Sequence, residues 1–403
     1  MPIGCLYISY DGILEPLGQS QVLSYLEGLA NERTIHLISF EKPSDKKNQY
    51  LYNQVDSRIK KSNIQWHPLI YHKKPTAIAT LWDIFCATAL GFWLILRYNL
   101  KIVHARSYVA SLSALIFKKI FGTYYIFDMR GFWADERVDG EIWTKSGYLY
   151  YITKQLEKSF LLNADVVVSL THKAVLEMKK FPYLDKRGVR FEVITTCADL
   201  KLFKPKSNFK KQNKPLTIGY VGSVGVWYLF EEAMDYFKLI KKIVPDVRLH
   251  IINKGGHKYI YKCLEELGID QKSVFVETID HSDVPRAMQS MDAGLFIIKP
   301  AYSKISSTPT KLGEFLGCGV PCICNSKVGD MSEIVNNNKV GVVLDSFDKS
   351  TKNKSILQLL KLILDPDIQH RCGATALKHF SLADGIDSYK RIYRSLDGQS
   401  HNG

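Results

Sequence analysis

The chain has 403 residues, 46% of them hydrophobic and 23% charged, with a formal net charge of +14. That length exceeds what a single hydrophobic core serves and predicts two domains, and the composition excludes a disordered or collagen-like chain. The positive balance favours an anionic partner, a class that takes in nucleic acid, an acidic membrane surface and phosphorylated substrates, and by itself selects none of them.

Short β-rich runs alternate with helical patterns from end to end, which is the pattern of βαβ units around parallel sheets. The opening "MPIGCLYISYDG" has no basic n-region and no cleavage site, so it reads as a first strand rather than a signal peptide. Strands are expected at Ile3–Ser9, Thr34–Phe40, Ile64–Ile70, Lys101–His104, Tyr124–Asp128, Asp165–Leu170 and Val189–Ile194. The first helix is expected over Ser20–Ala30, where Val22, Leu23, Leu26, Leu29 and Ala30 fall on one face. Residues 77–100 are apolar but interrupted by Asp83, which leaves Ile84–Leu96 as the longest uncharged run. That run is short of the roughly 20 residues a membrane span needs, and a buried or interfacial helix is expected.

After Ile194 the text becomes "TTCADLKLFKPKSNFKKQNKP", rich in Lys, Asn and Pro, and residues 196–215 read as a linker. It divides an N-terminal domain of 1–195 from a C-terminal domain of 216–380, and 381–403 supply a terminal helix and tail expected to pack back on the first domain. Strands resume at Leu216–Val221, Val247–Ile252, Ser273–Val276, Ala293–Ile298, Val320–Cys324 and Val340–Leu344, and a final helix is expected over Ile386–Leu396. Eight cysteines include no CxxC pair, and the group Cys318, Cys322, Cys324 has no His near it. Reduced, buried thiols in a reducing compartment are expected rather than a metal site.

Two doubly wound halves hold ligands at the carboxyl edges of their strands. In "SKISSTPTKLGEFLGCGVPCICN", residues 303–325, Ser306, Ser307 and Thr308 precede Pro309. The expected helix is Pro309–Leu316 with Thr308 as its N-cap, followed within its first turn by Thr310 and Lys311. Its free amides and the Lys311 charge suit a phosphate, and Glu314 suits a pair of ribose hydroxyls. The alternative is an ordinary capped helix with a surface Glu. In "IGYVGSVGVWY", residues 218–228, Gly222, Ser223 and Gly225 would let backbone approach a phosphate closely. In "YYIFDMRGFWADERVDG", residues 124–140, a strand ends at Asp128 and a run with Arg130, Trp133, Asp135, Glu136 and Arg137 follows. That run reads either as part of an active site or as a structural ion-pair loop. His104 and Arg106 stand at another strand end, in "KIVHARSYVAS".

The 303–325 segment resembles the donor-nucleotide motif of glycosyltransferase family 4, a retaining family, in which two acids seven positions apart bracket a small-residue loop ahead of a Gly-x-Pro turn. Glu314 stands for the second acid, "GCGVPCI" for the turn, and Ser306 occupies the place of the first acid. The 218–228 loop resembles the family's donor loop. "YDGILEPLGQSQVLSYL", residues 10–26, is similar to a subgroup, with Gly18 and Gln19 where the family has a Gly-rich turn facing the diphosphate and acceptor. "DMRGFWADE" resembles a segment of bacterial members that build surface polysaccharides.

The resemblance spans essentially the whole chain and implies an α/β protein of GT-B fold, two facing Rossmann-like domains with an interdomain active-site cleft. It implies transfer of a sugar from a nucleotide-sugar donor to a saccharide or lipid-linked saccharide acceptor, with retention, in capsule, O-antigen or exopolysaccharide synthesis. Asp128 and Arg130 are the expected catalytic residues. Gly18, Gln19, Gly222, Ser223, Ser306, Ser307, Thr308, Pro309, Thr310, Lys311 and Glu314 are expected to bind donor. His104, Arg106, Trp133, Asp135 and Glu136 are expected to bind acceptor. No cofactor is implied and, with no Asp-x-Asp at a strand end, metal-independent transfer is expected; nucleic acid is not expected as a partner. A cytoplasmic location is expected, with peripheral contact to the inner face of the plasma membrane through "HKK" at 72–74, the apolar segment at 77–100 and "FKKIF" at 117–121. The rival readings are a nucleotide-sugar epimerase or hydrolase on the same fold, and a non-catalytic glycan- or lipid-binding relative.

Overall fold

The computed structural model describes residues 4–74, 76–206 and 215–399. Ile3 of the first expected strand, 207–214 of the expected linker and 400–403 of the tail lie outside the described residues. The chain divides into two compact units, Met1–Thr195 with Leu382–Gly403, and Thr196–Ser381.

In the first unit the strands are β1 (Cys5–Ser9), β2 (Ile35–Glu41), β3 (Ile64–Ile70), β4 (Ile102–Arg106), β5 (Tyr124–Asp128), β6 (Val166–Ser169) and β7 (Phe191–Val193). They form one parallel sheet in the order β3-β2-β1-β4-β5-β6-β7. Every residue of β1, β2 and β4 is buried, because helices cover both faces of the sheet, and this is why apolar residues run consecutively in them, as at Leu6–Ile8, Leu37–Ile38 and Ile102–Val103. The register sets Ser9 beside Ser39 and Arg106, and Arg106 beside Asp128, so the carboxyl ends of four strands stand in one row.

The second unit has β8 (Thr217–Val221), β9 (Arg248–Ile252), β10 (Val274–Glu277), β11 (Ala293–Leu295), β12 (Cys322–Asn325) and β13 (Gly341–Leu344), parallel in the order β10-β9-β8-β11-β12-β13. Both sheets reverse their strand order once, between β1 and β4 and between β8 and β11. At such a switch point the flanking βα loops diverge and leave a crevice for a ligand. Tyr220, Phe230 and Phe237 fill the core on one face of the second sheet, and Phe296, Phe315 and Phe380 fill it on the other.

Among the expected elements that differ are three helices of the first unit. The first helix starts earlier than Ser20: Pro16–Gly18 is α-helical, Gln19–Leu23 forms a π-turn and Ser24–Leu29 is α-helical again. Pro16 sets the start, since its missing N–H costs nothing at the first helical position. Gly18 and Gln19 are therefore helical rather than in a Gly-rich turn. Gly18 is needed because a Cβ there would stand 1.9 Å from the Gly12 carbonyl oxygen. The terminal helix is longer than expected, Leu382–Gln399. Tyr389, Ile392, Tyr393 and Leu396 bury its apolar stripe, and Arg33 ties it down by pairing with Asp397 at 2.9 Å and lying over the Tyr393 ring.

The third difference concerns residues 77–100. The helix Thr76–Tyr98 runs through Asp83 without a break, and Ile78–Tyr98 is long and apolar enough to cross a membrane by length and composition, the one such helix among the described residues. Asp83 does not interrupt it because the carboxylate is turned inward, taking a hydrogen bond from Tyr10 Oη at 2.9 Å and lying 2.6 Å from His72 Nδ1. The cysteines are all free thiols, and all but Cys86 are buried.

Candidate active site

At the carboxyl end of β8 the chain turns through Gly222 and Gly225, with φ of +117° and +112°. These values suit glycine, and a Cβ at Gly222 would lie 2.7 Å from Lys311 Nζ, so a larger residue would also displace the end of that side chain. The loop is fixed at several points. Gly222 N–H donates to Ile252 O at 2.9 Å, and the Tyr220 hydroxyl donates to Ser223 O at 2.9 Å. Asn253, just beyond β9 and buried, donates through Nδ2 to Gly222 O at 2.8 Å and accepts from Gly256 N–H at 2.6 Å.

Opposite this loop, a 3-10 turn at Tyr302–Ser306 leads to the helix Thr310–Gly317. The helix begins one residue later than expected. Pro309 is extended, with ψ of 123°, and occupies the N-cap position, so Thr308 lies outside the helix and no side chain caps it. A helix start without a side-chain cap keeps donors available to a ligand. Ser306, at the place of the first acid, is buried and donates its hydroxyl to Ser303 O at 2.7 Å.

Lys311, in the first turn of this helix, is 7% exposed, and its Nζ has no hydrogen-bond partner. It lies 3.8 Å from the centroid of the Tyr228 ring, 5.5 Å from that of Tyr220 and 5.8 Å from that of Phe296. Aromatic faces attract a cation but do not replace its lost hydration. Burial accordingly pulls the Lys311 ammonium down to about 7, against the opposing pull of Glu314. Burial likewise pushes the Glu314 carboxyl up to about 7, against the Lys311 charge. A second cation, Lys304, lies 3.6 Å over the Trp227 ring. Asn325 at the end of β12 is buried and holds the chain beyond β11, accepting from Ile298 N–H at 2.8 Å and donating to Ile298 O at 3.0 Å.

The first unit gathers charge at the same edge of its own sheet. Asp128, at the end of β5, is 1% exposed. Its Oδ2 accepts from the Tyr389 hydroxyl at 3.2 Å and stands 3.7 Å from both Arg106 Nη1 and His104 Nε2. Its Oδ1 makes no hydrogen bond and faces Arg130 Nη1 at 4.0 Å. Burial works to raise the Asp128 carboxyl, but Arg130, His104 and Arg106 outweigh it and hold the group below its ordinary value. Arg106 also bonds Asp11, in the loop after β1, at 3.2 Å. Arg130 itself adopts φ of +59° and is followed by Gly131 at +141°. A left-handed arginine is a strained backbone held in place by its surroundings.

Several of the residues expected to contact substrate also make contacts within the first unit. His104 is 1% exposed, its Nδ1 lies 2.7 Å from Tyr393 Oη, and burial lowers its affinity for a proton. Asp135 is buried and accepts from Tyr150 Oη at 2.9 Å and Lys154 Nζ at 3.1 Å, with Lys154 bound in turn to the buried Glu157. This network joins the helix Trp133–Asp139 to the helix Tyr148–Asn163, so Asp135 holds the loop in shape. Trp133 packs on Tyr108 and Trp143 with Arg137 over its ring, and Glu136 is partly exposed on the same helix. Gln19 bonds Leu14 O and Arg58, so both ends of its amide are occupied. Sequence reasoning missed Asn253, Asn325, Tyr389 and Glu41. Glu41 is fully buried and receives Ile13 N–H, Leu14 N–H and the Ser39 hydroxyl, which fixes the loop after β1. The glycine pair in "NKGG" directly after a strand was the one signal pointing at Asn253.

Residues 203–379 match the family described as glycosyl transferases group 1. The second unit is therefore a glycosyltransferase domain. The GT-B fold is shared over the length of the chain with solved structures of low sequence identity. Sucrose-phosphate synthase from Thermosynechococcus elongatus superposes with a TM-score of 0.72 at 15% identity, covering 98% of this chain and 100% of that one. Anabaena Alr3699/HepE in complex with UDP and glucose gives 0.65 at 14%, covering 98% and 99%. The lipopolysaccharide outer core galactosyltransferase WaaB, in its apo form, gives 0.64 at 14%, covering 98% and 99%. No curated protein matches the sequence significantly. In the group 1 domain, the Gly222 loop, Lys311 and Glu314 thus lie at the switch point of a glycosyltransferase sheet.

Proposed function

We propose that this glycosyltransferase takes a sugar from a nucleotide-sugar donor held by the second unit and passes it, with retained anomeric configuration, to a saccharide or lipid-linked saccharide acceptor. We place it with family 4 and with the synthesis of cell-surface polysaccharide. One observation carries the donor reading: Lys311 Nζ is buried at a helix start, beside a glycine loop, with no hydrogen-bond partner. A buried ammonium with no hydrogen-bond partner, beside a Glu314 carboxyl that burial pushes up to about 7, is costly, and an arriving diphosphate would supply a full counter-charge. UDP or UDP-sugars occupy the related structures of HepE and of the E. coli protein bound with UDP-2-fluoro glucose, which supports the same donor class here.

In this reading the Gly222 and Ser223 backbone and the amides of Thr310 and Lys311 hold the diphosphate, and Glu314 takes the ribose hydroxyls. As the glycosidic bond breaks, charge grows on the leaving phosphate, and Lys311 with the helix amides stabilises it where it forms. Asp128 and Arg130 act as the catalytic pair of the first unit, with Asp128 fixing Arg130 and Arg106, and His104, Asp135 and Tyr389 keeping that edge in position. We expect the transfer to need no metal.

The test is incubation of the full chain with a panel of nucleotide sugars, with and without saccharide and lipid-linked acceptors. Transfer only when acceptor is present supports the proposal. Acceptor-independent conversion or hydrolysis of donor would replace it with the epimerase or hydrolase reading, and absence of nucleotide binding would leave the non-catalytic one.

A further inference from the structure

The helix Thr76–Tyr98 has an unusual outer face. Only 33% of its apolar stretch is buried. The inner face carries Ala79, Ala87, Leu94 and Ile95, all buried, and the outward positions are Ile78, Leu81, Trp82, Phe85, Trp93 and Leu96, each more than half exposed. The face continues onto the neighbouring helix Ser107–Phe121, where Phe121 packs on Phe92 with ring centroids 4.8 Å apart and Ile116 and Ile120 are exposed. A contiguous apolar surface of this kind requires a cover, which scattered exposed side chains do not.

The charges around it have one sign. Between residues 71 and 123 the only acid is Asp83, and it is buried, whereas Lys73, Lys74, Arg97, Lys101 and Lys119 are exposed. Apolar and aromatic residues flanked by exposed cations complement an anionic lipid surface. Self-pairing across a two-fold axis would set one basic rim against another. A spanning orientation is disfavoured for a different reason: it would draw Asp83 away from Tyr10 and His72 and strip the helix from the sheet it covers.

We propose that the first unit docks on an anionic bilayer through this face, with the helix Thr76–Tyr98 lying in the plane of the interface and the flanking lysines on the headgroups. This is independent of the donor reading.

The experiment uses the full chain with vesicles of phosphatidylcholine alone or mixed with phosphatidylglycerol. Co-sedimentation that requires the anionic lipid and fades as salt rises is expected. The double variant Trp82→Gln, Phe85→Gln changes only exposed positions and is expected to bind at least about tenfold more weakly. Depth is read independently of that variant: brominated lipid should quench tryptophan fluorescence, and Trp82→Phe with Trp93→Phe, which keeps the apolar surface, should abolish most of the quenching. Protein left in the supernatant at low salt, equal binding by the double variant, or a dimer in solution that the double variant dissociates while vesicle binding is absent would each overturn the proposal.

Discussion

Lys311→Met removes the ammonium and keeps an unbranched stem of similar reach. If the lysine exists for a ligand, the substitution should stabilise the empty protein while weakening donor binding. The folded-state value is depressed from 10.5 to about 7, so carrying the charge at or below pH 7 costs up to roughly 5 kcal/mol. The sign follows from proton counting. Between pH 7 and 10.5 the unfolded chain holds the Lys311 proton and the folded chain does not, so wild-type stability rises with pH across that window. The variant lacks this term, and its advantage is therefore largest at pH 7 and vanishes near pH 10.5. Glu314 offsets part of the gain, because without its cationic neighbour its carboxyl is driven further up, and a net gain of about 1–3 kcal/mol at pH 7 is expected. Urea denaturation of both proteins across this range measures it, and the difference between them cancels the titrating groups other than Glu314. Calorimetry with UDP should show affinity about 10- to 100-fold weaker, the loss of a charge-assisted hydrogen bond of roughly 1.5–3 kcal/mol. A variant that is less stable at pH 7 and binds UDP as before would show that Lys311 serves packing, and the donor site would have to be sought elsewhere.

Asn253→Ala breaks the clamp on Gly222 O and Gly256 N–H and should cost about 1–3 kcal/mol by urea denaturation, with UDP affinity falling more than uridine affinity if the loop it frees holds the diphosphate as proposed. At Arg130, whose φ is +59°, Arg130→Gly should be more stable than Arg130→Ala by about 1 kcal/mol, since both lose the guanidinium and only glycine accepts that backbone freely. Both variants should also unfold at higher pH on the acid side than wild type. The lowered Asp128 value gives stability that is present above the unfolded carboxyl pKa and lost as pH falls through the folded one, and removing Arg130 narrows that window.

The central strands were legible because both sheets are covered on both faces there, so that burial and apolar text largely coincide. Ile64–Ile70 and Tyr124–Asp128 occur with the bounds their sequences suggested. Where the text misled, hydrogen bonding decided the outcome. The apolar run at 293–298 continues past the end of β11 at Leu295, because Ile298 N–H leaves the ladder for the side chain of Asn325. The helix after Ser306 was expected one residue early because proline at its start was read as helical, whereas Pro309 is extended. The helix expected over 77–100 occurs at 76–98, but no local feature of the sequence shows that Asp83 turns inward to Tyr10 and His72.

The polar residues missed at the sheet edges share one arrangement. In each unit the strand next to the first, β2 or β9, carries at or just beyond its end a buried polar side chain that grips the loop after the first strand: Glu41 holds Ile13 and Leu14, and Asn253 holds Gly222. On the other side of the switch point, the second strand out ends in a buried side chain directed at the end of its neighbour. In the second unit that residue is Asn325, whose amide is satisfied by Ile298 and Ser326 backbone. In the first unit it is Asp128, beside Arg106 in register, and there one carboxylate oxygen has no hydrogen bond. A structural clamp at this position needs only an amide, as Asn325 shows. A buried carboxylate with an oxygen to spare costs more than that role requires, and its cost is explained if Asp128 also holds Arg106 and a strained Arg130 in charge balance at the edge where an acceptor is expected.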